Sequence, residues 1–306
     1  MLDLMGESAV EIDPRTLSTE LAAAFARAGV NRASLGVQSF DPRVQEAINR
    51  VQSFETTAAA VRTLRDSGIP VINLDLIYGL PFQTIESCLN TVEQALRLQP
   101  DRLAVFGYAH VPSFKAHQRK IDESALPGPT ERREQADAIA QALTLRGYHQ
   151  IGLDHFALPG DSLAVAAERG ALHRNFQGYT TDPCRTLVGL GASAIGRLPA
   201  GFVQNATRIP DYERRIATGQ LATVRGCTIG EEDNRRGVII EQLMCNYRAQ
   251  VGSIDAPLDH LIGDGLIRRS GDVIEVVDEA KPLVRVIAAA FDANFLGSTA
   301  QHSRAI

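Results

Sequence analysis

The chain has 306 residues, 44% of them apolar and 22% charged, which excludes a disordered chain, a fibre or a long coiled coil. Lys and Arg number 31 against 36 Asp and Glu, a net charge of −5, which argues against bulk binding to nucleic acid. No apolar run reaches the roughly 18 residues of a membrane span, no basic region precedes an apolar core at the start, and four scattered cysteines, Cys88, Cys184, Cys227 and Cys245, point to the cytoplasm.

Strand and helix signals alternate over the first 200 or so residues. Val10 to Asp13 is a short strand stopped by Pro14. Leu17, Leu21, Ala24, Phe25 and Ala28 follow at helical spacing, with Gly29 as terminator. Ala33 to Gln38 is the next strand, and Asp41-Pro42 supplies a cap and first-turn proline for a helix through Ile48. A helix from Phe54 to Ser67 ends at Gly68. Val71 to Tyr78 is the strongest strand, apolar enough to be covered on both faces. Helix is expected from Ile85 to Leu98, strand from Leu103 to Tyr108, and helix from Glu131 to Leu145 with Thr130 as cap. Apolar stretches at Ile151 to Phe156 and Leu187 to Ile195 close this region.

Such alternation predicts parallel strands with right-handed crossovers, either an open doubly wound sheet or a (β/α) barrel or part of one. Ligands then sit at the C-terminal strand ends, where Glu11, Asp13, Gln38, Asp75, Tyr108 and His110 fall. After residue 228 or so, helices at Glu231 to Tyr247 and Leu258 to Ile262, a hairpin turning at Ser270-Gly271 and a helix from Ala280 to Phe295 give a winged-helix-like order.

Gly189-Leu190-Gly191-Ala192-Ser193-Ala194 matches G-x-G-x-x-A. A dinucleotide turn should open a helix, yet Pro199 and Gly201 follow closely. The glycines are better read as permitting close backbone approach. Asp154-His155 and Tyr108-Ala109-His110 are either acid–base groups or hydrogen-bonded strand-end pairs. No histidine or cysteine spacing indicates a metal site.

Glu11-Ile12-Asp13-Pro14-Arg15, Gly36-Val37-Gln38-Ser39-Phe40, Asp75-Leu76-Ile77-Tyr78-Gly79-Leu80-Pro81 and the segment from His173 to Thr181 occur in that order. Together they resemble the oxygen-independent coproporphyrinogen III oxidase (dehydrogenase) family of radical S-adenosylmethionine (SAM) enzymes. Phe106 to Pro112 and the ending Ser303-Arg304-Ala305-Ile306 fit the same family. The resemblance implies an α/β fold, a partial (β/α) barrel with a small helical, winged-helix-like C-terminal domain, divided as residues 1–227 and 228–306.

It also implies a reaction. A reduced [4Fe-4S] cluster cleaves SAM, and the resulting radical takes a hydrogen from a propionate side chain of coproporphyrinogen III. Loss of CO2 and one electron leaves a vinyl group, and two such events give protoporphyrinogen IX in haem biosynthesis. The implied partners are this substrate and an electron donor and acceptor, with no nucleic acid, no membrane and a monomeric chain. Glu11, Gln38, Arg50 and Asp75 match SAM-binding positions of the family, and Ala109 and Ile195 match backbone or apolar contacts to adenosine. Arg174 is assigned to a substrate carboxylate on its chemistry.

The family's C-x-x-x-C-x-x-C cluster loop does not occur in this sequence. By the resemblance, the sequence begins about where the third barrel strand should start. The expectation is a chain that alone neither binds a cluster nor catalyses, and whose first strand is an unpaired edge. A non-catalytic haem or porphyrin binder, a truncated remnant, and a DNA-binding role for the C-terminal part are the alternatives.

Overall fold

The structure, a computed structural model, describes residues 6–254 and 256–296. The closing Ser303-Arg304-Ala305-Ile306 lies outside the described residues. The chain divides into two compact units, one ending at Glu168 and the other starting at Arg169. The boundary expected at 227/228 falls inside the second unit.

In the first unit β1 (Ala9–Ile12), α1 (Thr19–Arg27), β2 (Arg32–Gln38), α2 (Pro42–Ala47), α3 (Phe54–Asp66), β3 (Val71–Tyr78), α4 (Ile85–Arg97) and β4 (Arg102–Gly107) follow the expected alternation. α5 (Pro129–Leu145), β5 (His149–Ile151), β6 (His155–Ala157) and α6 (Ser162–Glu168) complete it. Strand order is β1-β2-β3-β4-β6-β5. The first four strands are parallel, β6 runs antiparallel to β4, and β5 runs antiparallel to β6. Among the described residues the sheet stays open with β1 at one edge, the form of a partial barrel.

Local chemistry sets the helix ends. Ser18, Asp41, Ser53 and Thr84 each accept a backbone N–H at a helix start. Gly29 and Gly68 follow α1 and α3 with φ of 87° and 96°, a left-handed conformation that stops a helix. α5 starts earlier than expected. Gly128, not Thr130, is its cap: Pro129 is pre-set for the first turn, and the Glu131 carboxylate accepts from Gly128 N at 2.7 Å.

The core lies on one side of the sheet. Leu35, Ile72, Leu74, Leu76 and Leu103 pack in one buried cluster with Ala58, Val61 and Leu64 of α3 and Val92 and Ala95 of α4. β3 is therefore not apolar on both faces. Ile72, Leu74 and Leu76 are buried on one, whereas Asn73 and Asp75 occupy the other.

The second unit holds the hairpin β7 (His173–Asn175) and β8 (Gly178–Thr180), and the antiparallel sheet of β9 (Ile195–Leu198), β10 (Gly201–Asn205) and β11 (Thr223–Thr228), with α7 (Ile209–Ala217) between β10 and β11. α8 (Glu231–Asn246), β12 (Arg248–Gln250), α9 (Asp259–Gly263), β13 (Ile267–Ser270) and β14 (Val273–Val276) keep the winged-helix-like order. The last helix is broken: a 3-10 turn containing Pro282 precedes α10 (Val284–Ala289) and α11 (Ala293–Leu296). The apolar stretch from Leu187 to Ile195 is not a strand. Leu187 bridges to Arg197 and Ile195 opens β9, whereas Val188 and Leu190 between them are exposed. A Cβ on Gly189 would stand 2.8 Å from the Ile195 carbonyl, so this glycine permits a close backbone approach, and no helix opens after Gly191.

Candidate functional site

The face of the first sheet turned away from α3 and α4 is polar because register aligns its side chains. Glu11 lies opposite Ser34, Ser34 opposite Asn73, and Asn73 opposite Arg102. One rung further, Gly36, Asp75, Ala104 and His155 lie in line. Ser34 Oγ donates to Asp75 Oδ2 at 3.0 Å. Asn73 Nδ2 donates to Ser34 Oγ at 2.8 Å and to Asp75 Oδ1 at 2.7 Å. Asn73 Oδ1 is buried and has no partner.

These contacts place two carboxyls in one field. Burial raises the Asp75 carboxyl above its ordinary range, against the hydrogen bonds from Ser34 and Asn73 and the charges of His155 and Arg32. Partial desolvation and the neighbouring Asp75 raise that of Glu11, opposed by Arg32 and Ser34. A ligand that donates hydrogen bonds or carries positive charge here would relieve both.

Gln38 and Arg50 border this face. Register shifts between Gly36 and Gln38, and Gln38 takes a left-handed φ of 67°. This bulge brings its side-chain amide back over Gly36: a Cβ at residue 36 would meet Gln38 Nε2 at 2.8 Å and Arg50 Nη2 at 3.1 Å. Arg50 Nη2 donates to Gly36 O at 2.9 Å, and Nη1 lies 3.4 Å from Asp13 Oδ2. Arg50 Nε is buried without a partner. Asp13 is held chiefly by Arg15, whose hydrogen bonds pull its carboxyl down to about 2. Arg50 therefore keeps donor capacity for another anion.

The loops after β3 and β4 are pinned by buried amides. Gln135 Oε1 accepts from Gly79 N at 2.9 Å, and Gln83 Nε2 donates to Ile77 O at 2.8 Å. Gln118 clamps the Ala109 segment, donating to Ala109 O at 2.9 Å and accepting from Val111 N at 2.7 Å. Gln118 thereby occupies the Ala109 carbonyl and leaves its N–H and methyl. Tyr108 Oη, His110 and Glu123 form a hydrogen-bonded chain of 3.1 and 3.0 Å. Asp154 and His155 are a hydrogen-bonded pair at 2.7 Å.

The structure thus brings Glu11, Gln38, Arg50 and Asp75 to one sheet face, with Ala109 following β4 in the same unit. Ile195 and Arg174 lie in the second unit, at the start of β9 and in β7. Ser34, Asn73 and Gly36 were not singled out for the site. Their signal is the alternation Ser34-Gly36 and Asn73-Asp75 along two strands.

The cysteines do not fit an iron–sulfur cluster. Cys88 and Cys245 are buried, and burial pushes both thiols up to about 12. Cys184 and Cys227 are exposed. Among the described residues no three His, Cys, Asp or Glu gather to hold a metal ion, and no helix is long and apolar enough to cross a membrane.

Residues 4–95 match the Radical SAM superfamily. The oxygen-independent coproporphyrinogen III oxidase of Bradyrhizobium diazoefficiens is 54% identical, over 98% of this chain and 70% of that protein. Its namesake from Thermostichus vulcanus is 38% identical, over 94% of this chain and 93% of that protein. The solved structure of coproporphyrinogen III oxidase (HemN) from Escherichia coli, a radical SAM enzyme, matches with a TM-score of 0.88 at 36% identity. That match covers 95% of this chain and 70% of HemN. The chain therefore spans about 70% of the length of the Bradyrhizobium and Escherichia proteins.

Proposed function

Since the chain belongs to the oxygen-independent coproporphyrinogen III oxidase family of radical SAM enzymes, we propose that it serves the oxidative decarboxylation of coproporphyrinogen III to protoporphyrinogen IX, supplying the SAM-facing sheet of that enzyme. The observation that carries this reading is the convergence of Glu11, Asp75, Gln38 and Arg50 on one polar face. The two carboxylates accept hydrogen bonds from the ribose hydroxyls or the amino group of SAM. Arg50 pairs with its methionine carboxylate, and Gln38 both donates and accepts. Ala109 and Ile195 flank adenosine, and Arg174 takes a substrate carboxylate. Bound SAM, cleaved with an electron from a [4Fe-4S] cluster that these residues do not hold, would supply the radical that removes a hydrogen from the substrate. The residues around it orient it, while an electron donor and acceptor outside this chain balance the oxidation. The cytoplasm is the proposed compartment, given four free cysteines.

The dispersed cysteines support a further part of the proposal: residues 1–306 alone assemble no cluster and do not turn over. Anaerobic reconstitution with iron and sulfide is expected to leave the chain without a cluster absorbance. About four irons per chain would overturn it. SAM binding tests the rest, by equilibrium dialysis. Gly36→Ala is expected to weaken SAM binding by roughly tenfold, the loss of about one charge-assisted hydrogen bond. Its methyl displaces the ends of Gln38 and Arg50, not backbone. The melting temperature should therefore stay within a few degrees, a change of about 1 kcal/mol or less. Unchanged affinity would remove both side chains from the site.

A further inference from the structure

The second unit contains a pocket of about 510 Å³, within the range of small-molecule sites. Its wall carries both signs of charge. Each acid there accepts a local hydrogen bond through one of its oxygens. Asp182 accepts from Cys184 N at 2.8 Å, Asp233 from Gly230 N at 2.8 Å, and Asp292 from Asn294 N at 2.9 Å. Glu241 Oε1 meets His173 Nδ1 at 3.0 Å and Arg174 N at 3.3 Å.

The guanidiniums of Arg174, Arg185 and Arg197 also line the pocket. Among the described residues none of them makes an ion pair or donates a hydrogen bond. Arg174 lies over the Tyr179 ring at 5.3 Å, with Nε buried and partnerless. Arg197 lies over Phe202 at 5.8 Å. Aromatic support holds a guanidinium's fork in place without spending its donors. These guanidiniums therefore keep their donors available, while each carboxylate keeps further acceptor sites, and Phe176, Leu187 and Met244 add apolar wall.

We propose that this pocket binds an amphipathic polycarboxylate, with carboxylates on Arg174 and Arg197 and an apolar body against the remaining wall. The inference rests on the function proposed above, which makes that ligand the propionate-bearing tetrapyrrole. It adds a second anchor, Arg197, and a place for the ligand within the second unit.

Cys184 stands in the pocket wall with an exposed thiol, whereas Cys227 is exposed outside it. Alkylation of both by iodoacetamide in the full chain, followed by mass spectrometry, reads occupancy. Coproporphyrin III, a stable oxidised form of the substrate, serves as probe, and its fluorescence reports overall binding. At about ten times its dissociation constant it is expected to slow Cys184 alkylation roughly tenfold, with Cys227 unchanged. The tetramethyl ester should protect neither. Protoporphyrin IX, with two carboxylates, should protect more weakly, which separates a substrate preference from general propionate binding.

Arg197→Gln and Arg174→Gln, each checked for an unchanged melting temperature, should raise the half-protecting concentration about tenfold. Porphyrin binding by fluorescence without protection of Cys184 would overturn the pocket and leave the proposed substrate standing. Equal protection by acid and ester would overturn the carboxylate anchors. No porphyrin binding at all would overturn this inference and the substrate reading together, while SAM dialysis would still test the first unit.

Discussion

Asp75→Asn is expected to raise the melting temperature at neutral pH while weakening SAM binding by about 10- to 100-fold, the loss of roughly 1.5–3 kcal/mol from a charged acceptor. Burial raises the folded-state pKa of Asp75 above its ordinary value. The folded state thus holds the proton more readily than the unfolded one, and ionised Asp75 destabilises the fold. That cost is full above the raised pKa and vanishes as pH falls below the ordinary Asp range. The advantage of the variant should therefore shrink as the buffer is acidified toward and below that range. Asparagine retains one acceptor for Asn73, and the Ser34 hydroxyl can turn to accept from its new amide. Thermal melts across pH, paired with SAM dialysis, check both halves. A variant that melts lower at neutral pH and binds SAM normally would show Asp75 to be structural.

The largest stability effect is expected at Arg102. Its guanidinium is buried and pairs with the equally buried Asp161 at 2.6 Å. It also donates to Ser162 Oγ and Glu7 Oε2, both at 2.9 Å. Asp161 in turn accepts from Leu163 N at 2.8 Å as α6 begins. Arg102→Ala strands that carboxylate without its cation, an expected loss of about 3–5 kcal/mol in urea unfolding. Most of that figure is the penalty on Asp161, not the worth of the pair. Arg102→Ala combined with Asp161→Asn should therefore recover roughly 2 kcal/mol relative to Arg102→Ala alone. Additive costs in the double variant would mean that Arg102 acts through packing alone.

The sequence made the first unit legible because its elements carry local signals. Val71–Tyr78 is a strand over the span its apolar pattern marks, and Asp41-Pro42 starts α2 by cap and ring geometry. What was hidden is tertiary. The apolar run of β3 does not reveal that Asn73 and Asp75 face away from the helices, because that face is defined by Ser34 and Glu11 on other strands. Thr130 is as good a cap by composition as Gly128, and the choice is made by Pro129 and by Glu131 reaching back. The final helix failed at Pro282, and the run after Leu187 failed at its glycines. In the second unit, Arg174 could be suspected from its loop. Arg197 could not, since Phe202 comes under it only through the β9–β10 pairing and the acids that share its pocket come largely from segments distant in sequence.

The alignment of Ser34 with Asn73 and of Gly36 with Asp75 also acts as a key that admits one register. A one-residue slip of β3 against β2 would drive Asn73 and Asp75 among Leu64, Val92 and Ala95 and lift Ile72, Leu74 and Leu76 to the polar side. Burying an unpartnered amide and a carboxylate on the helix side would cost several kcal/mol, on top of the apolar area returned to water. The residues of the polar face thereby reject mispaired sheets during folding, so loss of Asn73 together with Asp75 should blur the choice of strand pairing as well as remove the acceptors of that face.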